Sequence, residues 1–309
     1  MHRSATQSAA GQGTDTGGQG SPPPGLDRVD RMSITDQELG LLRQLVLRES
    51  GIFLAPVKRE LLVARLGRRV RELGLRSFGA YYRRVRQDPA ELAEMLDRIT
   101  TNETHFFREP SQFEFLASRA FPAWEEEAER GRRPRRLKAW SAGCSTGEEP
   151  YSLAMCALTH LPGWSVDVLA TDLSHRALDR ARRALWPIDR AEQIPAPYRE
   201  RFMLRGVRSR DGLMKAGPEL RAVVRFGRLN LSRELPAEGG LFDLILCRNV
   251  LIYFHPTSRA RTLRALVERL APGGYLLLGH SESPGDLMDL VQRVVPTVYT
   301  RRGPGSALR

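Results

Sequence analysis

The stretch Trp140-Ser-Ala-Gly-Cys-Ser-Thr-Gly-Glu-Glu-Pro-Tyr151 decides the fold. A basic segment ends at Lys138, small residues follow, and from Glu148 the apolar spacing (Tyr151, Leu153, Ala154, Leu158) becomes helical. Ala142, Gly143, Ser145 and Gly147 leave bare backbone for a ligand to lie against, and the following helix aims its free N–H groups there. Phosphate loops share this strand–turn–helix layout, but Glu148 and Glu149 would repel a phosphate. Carboxylates at that point favour hydroxyls or a cation. A nucleoside-like ligand carrying positive charge is the expectation.

A chain of 309 residues, 41% hydrophobic, suits about two domains with real cores. The first 25 residues hold no Leu, Ile, Val or Phe, and 15 of them are Gly, Pro, Ser or Gln, so this tail is expected to be disordered. It lacks the apolar run of a signal peptide, and no later run reaches membrane-spanning length. Cys144, Cys156 and Cys247 are too widely spaced for a disulfide framework or a metal cluster, and no two histidines stand at i, i+4. A cytoplasmic, monomeric protein without structural metal follows as the expectation. The net charge of +12 is concentrated: residues 56 to 86 hold ten Lys or Arg against Glu60 and Glu72, which favours an anionic partner.

Ser33-Ile-Thr-Asp-Gln-Glu38 combines cap residues with acids ahead of Leu39, Leu41, Leu42, Leu45 and Val46 at helical spacing. A second helix is predicted over Val57–Leu73, with Leu62, Val63, Leu66, Val70 and Leu73 on one side and Lys58, Arg65, Arg68 and Arg69 on the other. Shorter helices are predicted at Tyr81–Val85 and Glu91–Ile99. The spacing therefore predicts a disordered tail at 1–30, an all-helical domain over 31–110, a linker helix over 111–134, and a second domain over 135–302 ahead of a short tail at 303–309. In that second domain strands are expected at Leu137–Ser141, Ser165–Thr171, Val223–Asn230, Phe242–Cys247, Tyr275–Gly279 and Thr297–Arg301. Helices are expected at Glu149–Leu161, Arg176–Leu185 and Ser258–Leu270. The fold class is α/β, a mainly parallel doubly wound sheet. The gap from Trp186 to Val223 predicts an inserted antiparallel lobe, placed at about 194–222, with strands near Phe202–Leu204 and Gly212–Lys215.

Ligands of doubly wound sheets bind at the carboxyl ends of the strands. The first strand delivers Ser141–Glu149; the second ends in Asp172, suited to two ribose hydroxyls; the third ends in Asn230-Leu231, an amide and an apolar wall suited to adenine. The fourth runs into Arg248-Asn249-Val-Leu-Ile-Tyr253-Phe254, and an Ala271-Pro-Gly-Gly274 turn precedes the next. Singly, these residues read as a helix cap, a turn amide and a turn. In order on successive strands they point to one nucleoside site. The first turn lacks G-x-G-x-x-G, which disfavours a nicotinamide cofactor. S-adenosylmethionine offers the hydroxyls, the adenine and the cationic end together.

Four runs carry a resemblance: Thr100-Thr-Asn-Glu-Thr-His-Phe-Phe-Arg-Glu109, Trp140 to Ser152, Cys247-Arg-Asn-Val-Leu-Ile-Tyr-Phe254, and Gly279-His-Ser-Glu282. Together they resemble the CheR family of S-adenosylmethionine-dependent glutamate O-methyltransferases of bacterial chemoreceptors. The resemblance covers about residues 33 to 302. It implies a Rossmann-like methyltransferase sheet with an N-terminal helical domain and an inserted antiparallel β-subdomain. It implies that Asn102, Thr104 and Arg108 close over the cofactor, near Gly143, and that the Glu148–Glu149 pair meets its polar end, leaving open which of the two is closer. By the same resemblance Asp172 takes the ribose, Asn230 and Leu231 flank adenine, and Arg248 and Asn249 lie beside the methionine portion. Arg108 and Tyr253 would face the acceptor carboxylate, and the cytoplasmic domain of a methyl-accepting chemoreceptor would be the partner.

A glutamate with a reference pKa near ~4.3 is already ionised at neutral pH, so methylating it needs no general base. The lack of a His or Cys catalytic pair fits that chemistry, which leaves in-line positioning and exclusion of water to the enzyme. Receptor methylation regions are acidic helical bundles, so Lys58, Arg65, Arg68 and Arg69 are expected to dock them. A nucleic-acid methyltransferase is the rival suggested by charge, but the fourth strand is followed by Cys247-Arg-Asn-Val rather than an Asn/Asp-Pro-Pro-aromatic loop. Aromatics for base stacking are sparse on the basic region, and no nucleic-acid partner is expected. A non-catalytic cofactor-binding regulator is the other rival. The basic loop Arg205-Gly-Val-Arg-Ser-Arg-Asp-Gly212 is poor in glycine for a tight peptide-docking turn.

Overall fold

In the computed structural model, which describes residues 33–233 and 240–302, the first helix begins where the cap signal stands. Thr35 caps α1 (Asp36–Ser50) in a reciprocal capping box with Glu38. A 3₁₀ turn, Pro56–Lys58, leads into α2 (Arg59–Glu72), followed by α3 (Phe78–Gln87) and α4 (Pro89–Ile99). Their apolar stripes meet in one core around Leu42, Leu66, Tyr81 and Met95, each fully buried. The expected tails at 1–30 and 303–309 lie outside the described residues.

The linker is a helical rod: α5 (Pro110–Phe115), a π-helical run at Leu116–Ala120, and α6 (Phe121–Glu129), ending before residue 134. Then β1 (Arg136–Ala142), α7 (Glu148–His160), β2 (Ser165–Asp172) and α8 (His175–Arg183) alternate as predicted. Ala184 takes a left-handed φ of 50° and ends α8, so the predicted helix to Leu185 stops short. The chain continues instead as β3 (Leu185–Pro187), so the inserted lobe opens before residue 194. After α9 (Ala196–Phe202), β4 (Met203–Arg205) and β5 (Leu213–Ala216) complete an antiparallel sheet in the order β3-β5-β4.

The main sheet resumes through α10 (Pro218–Val223), β6 (Val224–Arg228), β7 (Phe242–Cys247), α11 (Pro256–Glu268) and β8 (Leu270–Leu278). It closes with β9 (Val291–Val295), which the sequence reading did not anticipate, and β10 (Val298–Arg301). Its seven strands run in the order β6-β2-β1-β7-β8-β10-β9. The first five are mutually parallel and β10 is antiparallel to both neighbours. Alternation along the strands divides the core in two, with Leu137, Ala139 and Leu246 on one face and Trp140, Ala142 and Ile245 on the other. Among the described residues no helix is long and apolar enough to cross a membrane.

The basic side of α2 is less uniform than its helical wheel. Arg69 forks onto Glu91, whose side chain is 4% exposed, and Tyr81 donates to the same carboxylate at 3.0 Å. Arg65 donates to the Ile99 carbonyl and to Thr101 Oγ1, fastening α2 to the exit of the domain. Arg68 is exposed and pairs with Glu72 along the helix at 2.9 Å. Arg69→Ala is therefore expected to destabilise the protein by about 3 kcal/mol in chemical denaturation, because it strands a buried carboxylate. Arg68→Ala should change stability by less than about 0.5 kcal/mol.

Candidate functional site

The strand order reverses between β1 and β7, so the loops leaving their carboxyl ends face one crevice. A cavity of about 410 Å³ occupies it. Gly143, Ser145 and Glu149 line it from the first loop, Asp172 from the end of β2, Asn230 and Leu231 from beyond β6, and Arg248, Asn249 and Tyr253 from beyond β7. Asn102, Thr104 and Arg108 arrive from the segment joining the domains. The helical domain adds Ser50 to Leu54 in part, with Lys58, Leu61 and Arg65. Two cations predicted to dock a receptor, Lys58 and Arg65, thus line the same cavity as the predicted cofactor residues, whereas Arg68 and Arg69 do not.

The helical domain is held there by specific seams. Asn230 Nδ2 donates to the Glu49 carbonyl at 2.6 Å, Arg233 pairs with Glu49 at 2.9 Å, and Ile52 forms an antiparallel bridge with Phe254. Asp97 of α4 accepts the His175 N–H at 2.9 Å, at the start of α8. Asn230 Oδ1 also accepts the Ser232 N–H at 3.1 Å, so its amide bridges two domains as well as lining the cavity.

The first loop is shaped by hydrogen bonds to the end of β2. Gly143 and Cys144 both donate to the Thr171 carbonyl, at 2.8 and 2.9 Å, and Trp140 Nε1 donates to Thr171 Oγ1 at 2.9 Å. Gly143 has φ 93°, and a Cβ there would lie 2.3 Å from Val250 Cγ2, so only glycine lets the two loops meet. Asp172 accepts the Ser145 and Ser174 N–H groups at 2.8 and 2.9 Å. Burial pushes its carboxyl upward in pKa despite those bonds.

A buried charge cluster forms the inner wall. The Arg248 side chain is 1% exposed, donates to Glu149 Oε2 at 3.2 Å and lies 3.4 Å from Glu109 Oε2. It also donates to the Arg108 carbonyl. Ser141 donates to the second oxygen of Glu149 at 2.7 Å. Burial raises the Glu149 pKa, and Arg248 and Ser141 pull against that rise. Glu148 turns away: Thr146 donates to it at 2.6 Å, and it lines an adjoining cleft of about 810 Å³ with Arg176, Arg180 and Arg190. Of the Glu148–Glu149 pair, it is Glu149 that lines the main cavity.

Two important carboxylates went unread in the sequence. Glu109, at φ 58°, accepts the His280 N–H at 3.0 Å and gives Arg248 its second carboxylate, while Arg248 Nε has no partner among the described residues. Glu282 is 4% exposed and gathers five backbone donors. Its Oε1 accepts from Val250, Leu251 and Ile252 at 3.0, 2.7 and 3.3 Å, and Oε2 from Asn249 and Gly279 at 2.8 and 2.7 Å. The Gly279-His-Ser-Glu282 motif was the available signal, but nothing in it announced that the carboxylate points inward. Among the described residues no three His, Cys, Asp or Glu side chains are grouped to hold a metal.

The chain matches the family described as CheR methyltransferase, SAM binding domain, over residues 102–299, and its all-alpha domain over residues 37–100. It is 38% identical over 268 residues to chemotaxis protein methyltransferase 2 of Pseudomonas aeruginosa, covering 86% of this chain and 93% of that protein. The chemotaxis protein methyltransferase of Salmonella typhimurium is 36% identical over 280 residues, covering 89% and 93% respectively. That of Escherichia coli is 36% identical over 264 residues, covering 84% and 88%.

Glu282→Gln puts an amide donor against backbone donors. It is expected to weaken S-adenosylmethionine binding about tenfold or more in calorimetry, since a buried donor left unmatched costs about 1–3 kcal/mol. Asp172 predicts a pH dependence with a definite sign. Its unfolded carboxyl has the lower pKa, so the native state binds the proton first, and its contribution to stability falls as pH rises from the usual carboxylate range through the raised value. Denaturation across that window should show a steeper decline for the parent chain than for Asp172→Asn.

Proposed function

Because the chain belongs to the CheR methyltransferase family, we propose that it methylates glutamate side chains of the cytoplasmic domains of methyl-accepting chemoreceptors, consuming S-adenosylmethionine and yielding glutamate methyl esters and S-adenosylhomocysteine. One observation carries the reading: segments around residues 102–108, 143–149, 172, 230 and 248–253 converge on a single cavity that is carboxylate-lined at depth and open at Tyr253.

The residues present fit the cofactor. Asp172 and Glu149 supply acceptors for hydroxyls and a cationic end, Leu229 and Leu231 supply an apolar wall, and Asn249 Oδ1 is a buried acceptor with no partner among the described residues. When bound, S-adenosylmethionine supplies a methyl group on a positively charged sulfur. In our assignment Asp172 holds the ribose and Leu231 faces adenine, with Asn230 beside it. Arg248 and Asn249 border the methionine portion, and Glu149, positioned by Ser141 and Arg248, meets its polar end. Asn102 and Thr104 close the cavity from above. Ser145 Oγ donates to the Asn102 carbonyl at 3.0 Å, which ties that roof to the first loop.

Arg108 and Tyr253 are assigned to the acceptor. Arg108 orients the incoming carboxylate by charge-assisted hydrogen bonding, and Tyr253, 39% exposed, stands at the mouth. Neither histidine nor cysteine lines the cavity among the described residues, which supports a reaction in which the acceptor arrives already ionised. The chain's contribution is then alignment and shelter from water.

Incubation with radiolabelled cofactor and a receptor cytoplasmic fragment is expected to place base-labile label on the receptor. Label appearing on nucleic acid, or cofactor binding with no transfer, would refute the proposal. Tyr253→Phe should lower kcat about tenfold while leaving the cofactor Kd within about twofold, consistent with loss of acceptor positioning.

A further inference from the structure

Eight large apolar side chains are exposed among the described residues, and four of them, Phe53, Val57, Ile252 and Tyr253, lie on two short segments that the fold fastens together. The Phe53 N–H donates to the Tyr253 carbonyl at 2.7 Å, Ile52 bridges Phe254, and the His255 N–H donates to the Gly51 carbonyl at 3.1 Å. The rings of Phe53 and His255 meet edge to face at 5.6 Å. Phe53 and Tyr253 line the cavity, whereas Val57 and Ile252 are sequence neighbours of the lining residues Lys58 and Tyr253. Val57 is 82% exposed at the tip of the 3₁₀ turn, and Ile252 is 43% exposed.

Single exposed apolar residues are ordinary, but a rim contributed by two domains around a reaction cavity is the pattern of a contact surface. The charge beside it is mainly positive. Lys58, Arg65 and Arg108 line the cavity near this rim, against one exposed carboxylate, Glu103, while Glu149 and Asp172 lie at depth. An occupant must therefore carry an apolar strip beside acidic side chains.

We propose that this rim is the seat of the acceptor helix. Phe53, Val57, Ile252 and Tyr253 pack against the apolar flank of an acidic receptor helix, and Lys58 draws its carboxylates toward the mouth. The inference rests on the function proposed above and adds to it where the substrate sits. It shifts part of receptor recognition from the charged side of α2 to the joint between the domains. Since Glu282 accepts the Ile252 N–H, the rim on the catalytic side is held by the same carboxylate that shapes the Asn249 loop.

The test uses the full chain carrying Val57→Ser with Ile252→Ser, two surface positions outside the cavity lining. The expected result is a rise of about tenfold in KM for a receptor cytoplasmic fragment, with cofactor Kd, kcat and melting temperature unchanged. The pair Val57→Leu with Ile252→Leu should keep KM within about twofold. An unchanged KM in the serine pair would overturn the proposal, as would sedimentation showing that the serine pair dissociates a self-association of the parent chain. Should the parent chain fail to methylate the receptor fragment at all, the proposed function falls. If it methylates and the serine pair matches it, only the seat is wrong.

Discussion

Arg248 is a permanent positive charge with 1% of its side chain exposed, and the architecture around it answers to that fact. A guanidinium cannot shed its proton to escape burial, so it must be matched where it stands. Glu149 comes from the start of α7, Glu109 from the segment linking the domains, and a carbonyl from Arg108. One ion therefore binds together the first strand loop, the linker and the end of β7. Glu109 tolerates a left-handed backbone to take part, and the Phe113 ring lies 5.8 Å beneath the guanidinium. Removing one carboxylate from such a set leaves charge unmatched, at a cost of about 3–5 kcal/mol.

A second carboxylate works by a different rule. Among the described residues Glu282 pairs with no cation; it is satisfied by four N–H groups from the Asn249–Ile252 loop, which would otherwise leave them unpaired, and by that of Gly279. The Asn249 backbone, at φ 58°, is held open by this arrangement, and Gly279 is small enough to let it form: a Cβ there would lie 2.7 Å from the Asn249 amide. Arg248 anchors the loop from one side and Glu282 from the other. The site's geometry is set by these two buried ions as much as by the residues that face the cavity.

The parallel strands were legible because each is a run of alternating or continuous apolar residues that ends in a polar group, and strand ends are where ligands bind. The strands β3 and β9 were not. Leu185-Trp-Pro187 follows an arginine-rich helix and reads as its last turn until the left-handed Ala184 breaks it. Val291-Gln-Arg-Val-Val295 is an edge strand with polar residues at its centre, and edge strands carry a weaker apolar pattern. The wheel of α2 correctly separated Leu62 and Leu66 from the cations. It could not see Glu91 on α4 or the Ile99 carbonyl, which occupy Arg69 and Arg65. For the same reason Glu109 and Glu282 escaped notice, since a lone acid carries no periodic mark of facing inward.

The cavity takes one wall from residues 50–65 and another from residues 248–254. Ser50 to Arg65 emerge from the ribosome long before Arg248 to Phe254, and the loop they must meet is held in shape by Glu282, later still. A nascent chain can complete its helical core early, but it owns no finished ligand cavity until Glu282 has been made. Catalytic competence therefore comes well after the helical core during synthesis, and a chain cut short before Glu282 would keep one wall of the cavity without the other.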